Sequence, residues 1–200
     1  MGIIKTIDVS TSRPPGVAFD GKYLWFCDGS FKLLRQIDRK GNIIKTLGPF
    51  EVYPYGLTFD GKHIWFSNQW GAGVYQIDRR GNILKSFTGP HANAAGLGFD
   101  GKYLWSGRWG DETMCQLDLA GNVIKTISVS PLAPAGIASD GKYLWVVDRT
   151  LFDLCKLDMK CNVLTRISYS GTDIYGVAFD GKYLWLSDMD YMALYQVTRN

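Results

Sequence analysis

GVAFDGKYLW, residues 16–25, returns as GLTFDGKHIW at 56–65, GLGFDGKYLW at 96–105, GIASDGKYLW at 136–145 and GVAFDGKYLW at 176–185, a period of forty without a gap. Asp-Gly between two apolar runs is a strong hairpin signal, and a type I′ turn with both central residues at positive φ is expected at Asp20-Gly21 and its four copies. The flanking runs, Val17 to Phe19 and Tyr23 to Phe26, are short and rich in aromatic and β-branched residues, which favours strands.

A second element follows each copy: LLRQIDRKGNIIKTL from 33, VYQIDRRGNILKSF from 74, MCQLDLAGNVIKTI from 114 and LCKLDMKCNVLTRI from 154. Its Asp-x-x-Gly-Asn turn separates a third run from a fourth, giving four strands per forty residues, the period of a propeller blade. In the fifth copy the chain stops at LYQVTRN, while Gly2 to Ile7 matches Asn42 to Leu47. Five whole units exist only if the ends meet. The sequence therefore predicts an all-β, five-bladed β-propeller with four antiparallel strands per blade, closed by the N-terminal strand completing the last blade. It forms one domain over 1–200, with units near 11–50, 51–90, 91–130, 131–170, and 171–200 plus 1–10. A lone four-stranded blade cannot bury both faces, whereas a ring buries each blade against two neighbours.

The 200 residues are 46% hydrophobic and 20% charged, with a formal charge of +3. Basic residues are spread along the chain without a clustered face, which argues against a nucleic-acid partner. No apolar run suits a membrane span and the first residues lack a signal-peptide pattern, so a cytoplasmic monomer without membrane contact is the expectation. Cys27, Cys115, Cys155 and Cys161 show no CxxC spacing and are expected to be free thiols, with no metal and no cofactor.

With the Asp-Gly and Asp-x-x-Gly-Asn turns on one face, the remaining connections share the other: 9–15, 48–55, 88–95, 128–135 and 168–175 between blades, and 27–32, 67–73, 107–113, 147–153 and 187–192 after each second strand. The turns barely vary between copies and these loops share almost no sequence. Loops on a rigid scaffold are where binding groups usually reside. Trp25, Trp65, Trp105, Trp145 and Trp185 hold one repeated position and read as core. Trp70 and Trp109 fall in the loops, with Tyr53, Tyr55, Phe31, Phe152, Tyr175 and Tyr191, a set suited to stacking on a sugar, base or other ring.

Three residues beyond each core tryptophan stands a ring of Asp28, Asn68, Arg108, Asp148 and Asp188. Its carboxylates suit a cation or acid–base chemistry, but Asp and Asn at strand ends also commonly bond nearby backbone N–H groups, and that structural role is preferred. Asp111, Glu112, Asp153, Asp173 and Asp190 lie on the same face with nothing in the sequence to mark a pair, as do Arg13, Arg108 and Arg149, which suit an anionic ligand. His91 stands alone on that face, and His63 replaces a repeated tyrosine beside the Asp-Gly turn.

PYGLTFDGKHIWF at 54–66, followed by VYQIDRRGNI at 74–83, resembles blades of the virginiamycin B lyase-like, NHL and YncE-like propellers, and the likeness covers every blade. It implies the repeat type and little about activity, since such families hold lyases, hydrolases and interaction platforms. The lyase's seven-bladed ring, metal and catalytic histidine are not matched by five blades with one loop-face histidine, so no catalytic residue is carried over.

The leading expectation is a non-enzymatic ligand-binding or scaffolding propeller. It takes a small molecule, glycan or peptide at the channel mouth, with Trp70, Trp109, Tyr53, Tyr55, Tyr175, Arg108, Asp28, Asp148 and Asp188 as contacts. The alternatives are a lyase or glycoside hydrolase using loop-face carboxylates with or without a divalent metal, and a recently amplified or designed ring with no evolved ligand.

Overall fold

A computed structural model describes residues 2–10, 12–91, 96–108, 110–169 and 172–199. Blade one consists of β2 (Val17–Phe19), β3 (Leu24–Asp28), β4 (Leu33–Ile37) and β5 (Ile43–Leu47). Blade two has β6 (Pro54–Phe59), β7 (Ile64–Asn68), β8 (Gly73–Ile77) and β9 (Ile83–Thr88); blade three has β10 (Gly96–Phe99), β11 (Leu104–Arg108), β12 (Thr113–Leu117) and β13 (Val123–Ser128). Blade four has β14 (Pro134–Ser139), β15 (Leu144–Asp148), β16 (Asp153–Leu157) and β17 (Val163–Ser168). Blade five has β18 (Ile174–Phe179), β19 (Leu184–Asp188) and β20 (Ala193–Val197) from the C-terminal end, and β1 (Ile3–Asp8) from the N-terminal end. This is the predicted five-bladed propeller. Its latch is the antiparallel pairing of β1 with β20, from Asp8 opposite Ala193 to Ile3 opposite Val197, with a bulge between Ile3 and Lys5. The other four outer strands carry their irregularity at the corresponding place, so the strand from the far end of the chain copies its counterparts.

The turn chemistry differs from the expected type I′. The N–H of Asp20 donates to Tyr23 O, so Gly21 and Lys22 form the centre of the turn, and of the Asp-Gly pair only Gly21 has positive φ, at 90°. Asp20 keeps its ordinary backbone because its side chain has another task. Oδ1 accepts the N–H groups of Lys22 and Tyr23, and Oδ2 accepts the indole Nε1–H of Trp25 at 2.9 Å. The arrangement recurs at Asp60 and Trp65, Asp100 and Trp105, Asp140 and Trp145, and Asp180 and Trp185.

All five tryptophans are essentially inaccessible to water. Burying such a ring removes roughly 150–250 Å² of apolar surface, of order 4–6 kcal/mol before entropy is subtracted. That gain would be eroded if the indole N–H were left dry and unpaired. The aspartate satisfies it and fixes the turn at the same time.

Three of these aspartates also join neighbouring blades. Arg79 meets Asp20 at 3.2 Å, Arg199 meets Asp140 at 3.1 Å and Arg39 meets Asp180 at 3.2 Å. Each guanidinium lies over a phenylalanine ring: Arg79 on Phe59, Arg199 on Phe179 and Arg39 on Phe19. Leu119 and Met159 occupy the corresponding places in blades three and four.

Along the axis the innermost strands approach until only glycine fits. A Cβ on Gly16, Gly96 or Gly136 would collide with the carbonyl oxygens of Tyr55, Ala135 and Tyr175 respectively. The void at this level is about 10 Å³, at most the space of a single water. The channel is therefore shut at its waist. Towards the turn face it widens to about 70 Å³, ringed by Phe19, Phe59, Phe99, Ser139 and Phe179.

Burial alone would raise the pKa of Asp20, Asp60 and Asp140, but the hydrogen bonds from tryptophan and backbone outweigh it and the net shift is downward from 3.8. With folded values below the unfolded one, these groups contribute stability that is fully present above about pH 4 and is lost as pH falls through the lowered values. Melting temperature should be flat from neutral pH to about 5 and drop steeply below about 4. Asp100→Ala, which frees one indole and two backbone N–H groups, should cost about 2 kcal/mol in denaturant titration, and Asp20→Ala, which also strands Arg79, about 3–4 kcal/mol.

Candidate functional site

Both families of variable loops lie at one end of the ring, stitched together by backbone hydrogen bonds such as Val9 N to Met192 O, Phe50 N to Lys32 O and Val129 N to Glu112 O. Their sequences differ but their backbone repeats: Lys32, Glu112, Phe152 and Met192, at corresponding positions, all adopt left-handed φ between 49° and 57°.

The ring of residues three beyond each tryptophan is built into this stitching. Asp28 is fully buried and its Oδ2 accepts Ser12 Oγ at 2.6 Å and Arg35 Nε at 2.9 Å. Asp148 accepts the N–H groups of Ala133 and Thr150 on Oδ1 and Arg166 Nη1 at 2.6 Å on Oδ2. Asp188 accepts Asp190 N and Tyr191 N on one oxygen and Asp173 N on the other. Asn68 does the same for Tyr53 N and Trp70 N. Asn68, Asp148 and Asp188 each clip an inter-blade loop to the loop that follows their own strand, whereas Asp28 ties its inter-blade loop to Arg35 on β4. Arg108 instead turns its guanidinium onto both oxygens of Asp111, at 3.0 and 3.1 Å.

His91 is buried, with Nδ1 3.4 Å from Asp111 Oδ2, and burial holds its pKa below the ordinary value. His63 lies against Gln76 and Asp60 and serves its turn. The four cysteines are free and buried, and burial pushes Cys155 up to about 12 and Cys161 to about 11, so neither is a reactive thiolate. Among the described residues no group of three His, Cys, Asp or Glu side chains could hold a metal ion.

What the loops do bring together is a cluster around Tyr175, at the mouth of the closed axis. Arg149 Nη2 donates to Tyr175 Oη at 2.7 Å. The guanidinium sits in the corner between two rings, 4.2 Å from the centroid of Tyr175 and 4.6 Å from that of Phe152. Tyr55, from blade two, lies close enough to feel both Tyr175 and Arg149, and burial raises its phenol to about 12. Two residues before Tyr175, the neighbouring Asp190 carboxyl, together with burial and the charge of Asp188, raises the pKa of Asp173. Arg13 closes the group by pairing with Asp190 at 3.1 Å.

Of the residues expected to form the site, Tyr55 and Tyr175 are in this cluster. Asp28, Asp148 and Asp188 brace the loops beneath the surface, and Arg108 is tied to Asp111. Tyr53 holds Lys32 Nζ over its ring at 4.6 Å, and Trp70, 67% exposed, stands on the blade-two loop with no described contact to the mouth. Trp109 lies outside the described residues. Sequence reading left Arg149, Asp173 and Asp190 unpaired.

No protein-family model and no curated protein sequence matches the chain. Solved structures do match in fold. A glutaminyl cyclase from Myxococcus xanthus aligns with TM-score 0.83 at 13% identity, over 98% of this chain and 94% of that one. Virginiamycin B lyase from Staphylococcus aureus, in a catalytically inactive form with quinupristin, aligns with TM-score 0.61 at 19% identity, over 96% of this chain and 68% of that one. Its selenomethionine form aligns equally at 20%. The likeness to the lyase propeller noted in the repeat thus extends to the architecture, and at these identities it establishes the fold alone.

The bracing role of the aspartate ring is testable. Asp148→Ala strands the Arg166 guanidinium and two N–H groups and should lower unfolding free energy by about 3 kcal/mol. Asp190→Ala, at an exposed pair, should change it by less than about 0.5 kcal/mol in the same denaturant titration.

Proposed function

We propose that this protein is a binding propeller that holds a small ligand with an anionic group across the axial mouth of its loop face, Arg149 receiving the anion and Tyr175, Tyr55 and Phe152 offering ring surfaces. The observation that carries this reading is the state of Arg149. Seven of the other eight arginines, at 13, 35, 39, 79, 108, 166 and 199, are paired with carboxylates, and the eighth, Arg80, is exposed on the turn face. Arg149 is half-buried with only Tyr175 Oη as a side-chain partner and no carboxylate within 4 Å among the described residues. Desolvating a cation without a counter-ion is unfavourable, and its charge is then directed outward at whatever anion approaches. The two rings hold the planar fork in place, which lowers the ordering cost of binding.

The shut waist supports a ligand lying over the mouth, with only the mouth groups in contact.

Calorimetric titration with small arylalkyl carboxylates, using the matching amides as controls, tests the reading. Carboxylates should bind and amides should not. Arg149→Gln should weaken carboxylate binding at least about tenfold, the scale of one lost charge-assisted pair. Leu119→Ala on the opposite face should leave it unchanged. Equal binding of acid and amide, or binding indifferent to Arg149→Gln in a variant that melts like the parent, would overturn it.

A further inference from the structure

We infer that the turn face docks on an anionic lipid surface, its lysines meeting the headgroups and a crown of aliphatic side chains at its rim entering the interface. Basic residues spread along the sequence are gathered by the ring onto this face. Lys22, Lys62, Lys102, Lys142 and Lys182 stand exposed, one in each Asp-Gly-Lys turn. The second turns add Arg39, Lys40, Arg79, Arg80 and Lys160, with Arg199 at the corresponding place in blade five. Lys5, Lys45 and Lys85 reach from the outer strands to carbonyls in the turn of the next blade, Lys125 lies near Cys161 in the turn of blade four, and Lys156 lies over Tyr143. The aspartates of both turns have their oxygens on donors of their own turn, as Asp100 does with Lys102 N, Tyr103 N and Trp105, and Asp38 with Lys40 N and Asn42. The lysines have no such partner: among the described residues none pairs with a carboxylate.

Sixteen of the 22 basic residues and nine of the 19 acidic ones therefore carry their charge at the turn face, a net of +7, which leaves six and ten at the loop face, a net of −4. An anionic surface attracts one face and repels the other, so the molecule docks in one orientation, with the axial mouth towards solution. The apolar surface is sorted in the same way. Directly after each second turn, and at its counterpart near the N-terminus, two consecutive aliphatic residues are exposed: Ile3 and Ile4, Ile43 and Ile44, Ile83 and Leu84, Val123 and Ile124, Val163 and Leu164, each 42–53% accessible. Leu119 and Met159 join them on the turn face. Aliphatic side chains beside lysines suit the boundary between headgroups and acyl chains, and such docking needs no apolar span. Nucleic acid fits less well. Bases stack on open aromatic rings, and Tyr23, Tyr103, Tyr143 and Tyr183 are each capped by the lysine of their own turn, 4.8–5.0 Å from the ring centroid.

The probe is cosedimentation of the full chain with phosphatidylcholine vesicles containing about 30% phosphatidylserine, against phosphatidylcholine alone, at about 0.1 M salt. The protein should bind the anionic vesicles and not the neutral ones, and at about 0.5 M salt its partitioning should fall at least about tenfold. Lys102→Gln combined with Lys142→Gln should weaken it at least about tenfold, whereas Lys32→Gln, which removes a charge from the loop face, should change it less than about twofold. Ile44→Ser combined with Leu84→Ser should weaken it about fivefold and leave its salt dependence in place. The exposed position of all these side chains predicts melting like the parent, which checks that each variant is folded. No binding to anionic vesicles would overturn the inference. So would vesicle binding indifferent to either double variant, or tighter binding to a DNA duplex than to vesicles at equal concentration of phosphate charge. These outcomes are independent of ligand binding at Arg149.

Discussion

The hydrogen bond from each buried indole N–H to the aspartate of the preceding turn is the constraint on which the rest of this ring depends. It lets the largest apolar side chain of each blade be buried without an orphaned donor. The same carboxylate orders the hairpin by taking two backbone N–H groups, and in three blades it takes an arginine from the next blade. Core, turn and blade interface therefore share one ionised group, so the Asp-Gly turns cannot drift in sequence as the loops do. At Asp20, Asp60 and Asp140 the carboxylate is itself low in pKa because the hydrogen bonds overcome the effect of burial.

The five units are similar but the ring is not five-fold symmetric. Arginine bridges three consecutive interfaces, between blades four and five, five and one, and one and two, while Leu119 and Met159 stand at the other two, each 37% exposed. The bridged arc includes the seam where β1 meets β20, the one blade that must assemble from both ends of the chain. Closure of that blade carries the largest loop-entropy cost. Arginine bridges placed on both sides of it add contacts that form only after the termini have met.

Most of the fold was legible because its signals are local and repeated. The Asp-Gly turn, the core tryptophan and the match of Gly2 to Ile7 with Asn42 to Leu47 can each be read within a few residues, and repetition removed the ambiguity of any single copy. The turn type was misjudged because the preference of Asp-Gly for positive φ at both centres competes with the side-chain role of Asp20, and the hydrogen bonds to Trp25, Lys22 and Tyr23 prevailed. The shut waist was invisible for a different reason. A glycine at 16 or 136 has ordinary strand neighbours in sequence, and the carbonyl it must avoid belongs to the next blade.

The candidate site was legible only in its location. Arg149, Tyr175, Asp173, Asp190 and Arg13 come from loops of blades four, five and one, and no periodicity relates loops whose residues differ in every copy. The loop backbones nonetheless repeat, with the same left-handed residue at 32, 112, 152 and 192 and the same clip from Asn68, Asp148 and Asp188. The variable side chains are therefore displayed from positions that the scaffold fixes. Such a frame can hold charges in arrangements that would not persist on a free loop, including a half-buried guanidinium, that of Arg149, with no carboxylate partner among the described residues. That arrangement is unfavourable in isolation and is placed where solvent or a ligand can reach it. In the body of the ring, by contrast, the buried aspartates of the repeat are matched by donors. The unpaired guanidinium of Arg149 at the axial mouth, and not the aromatic content of the loop face as a whole, is the feature on which the proposed ligand site rests.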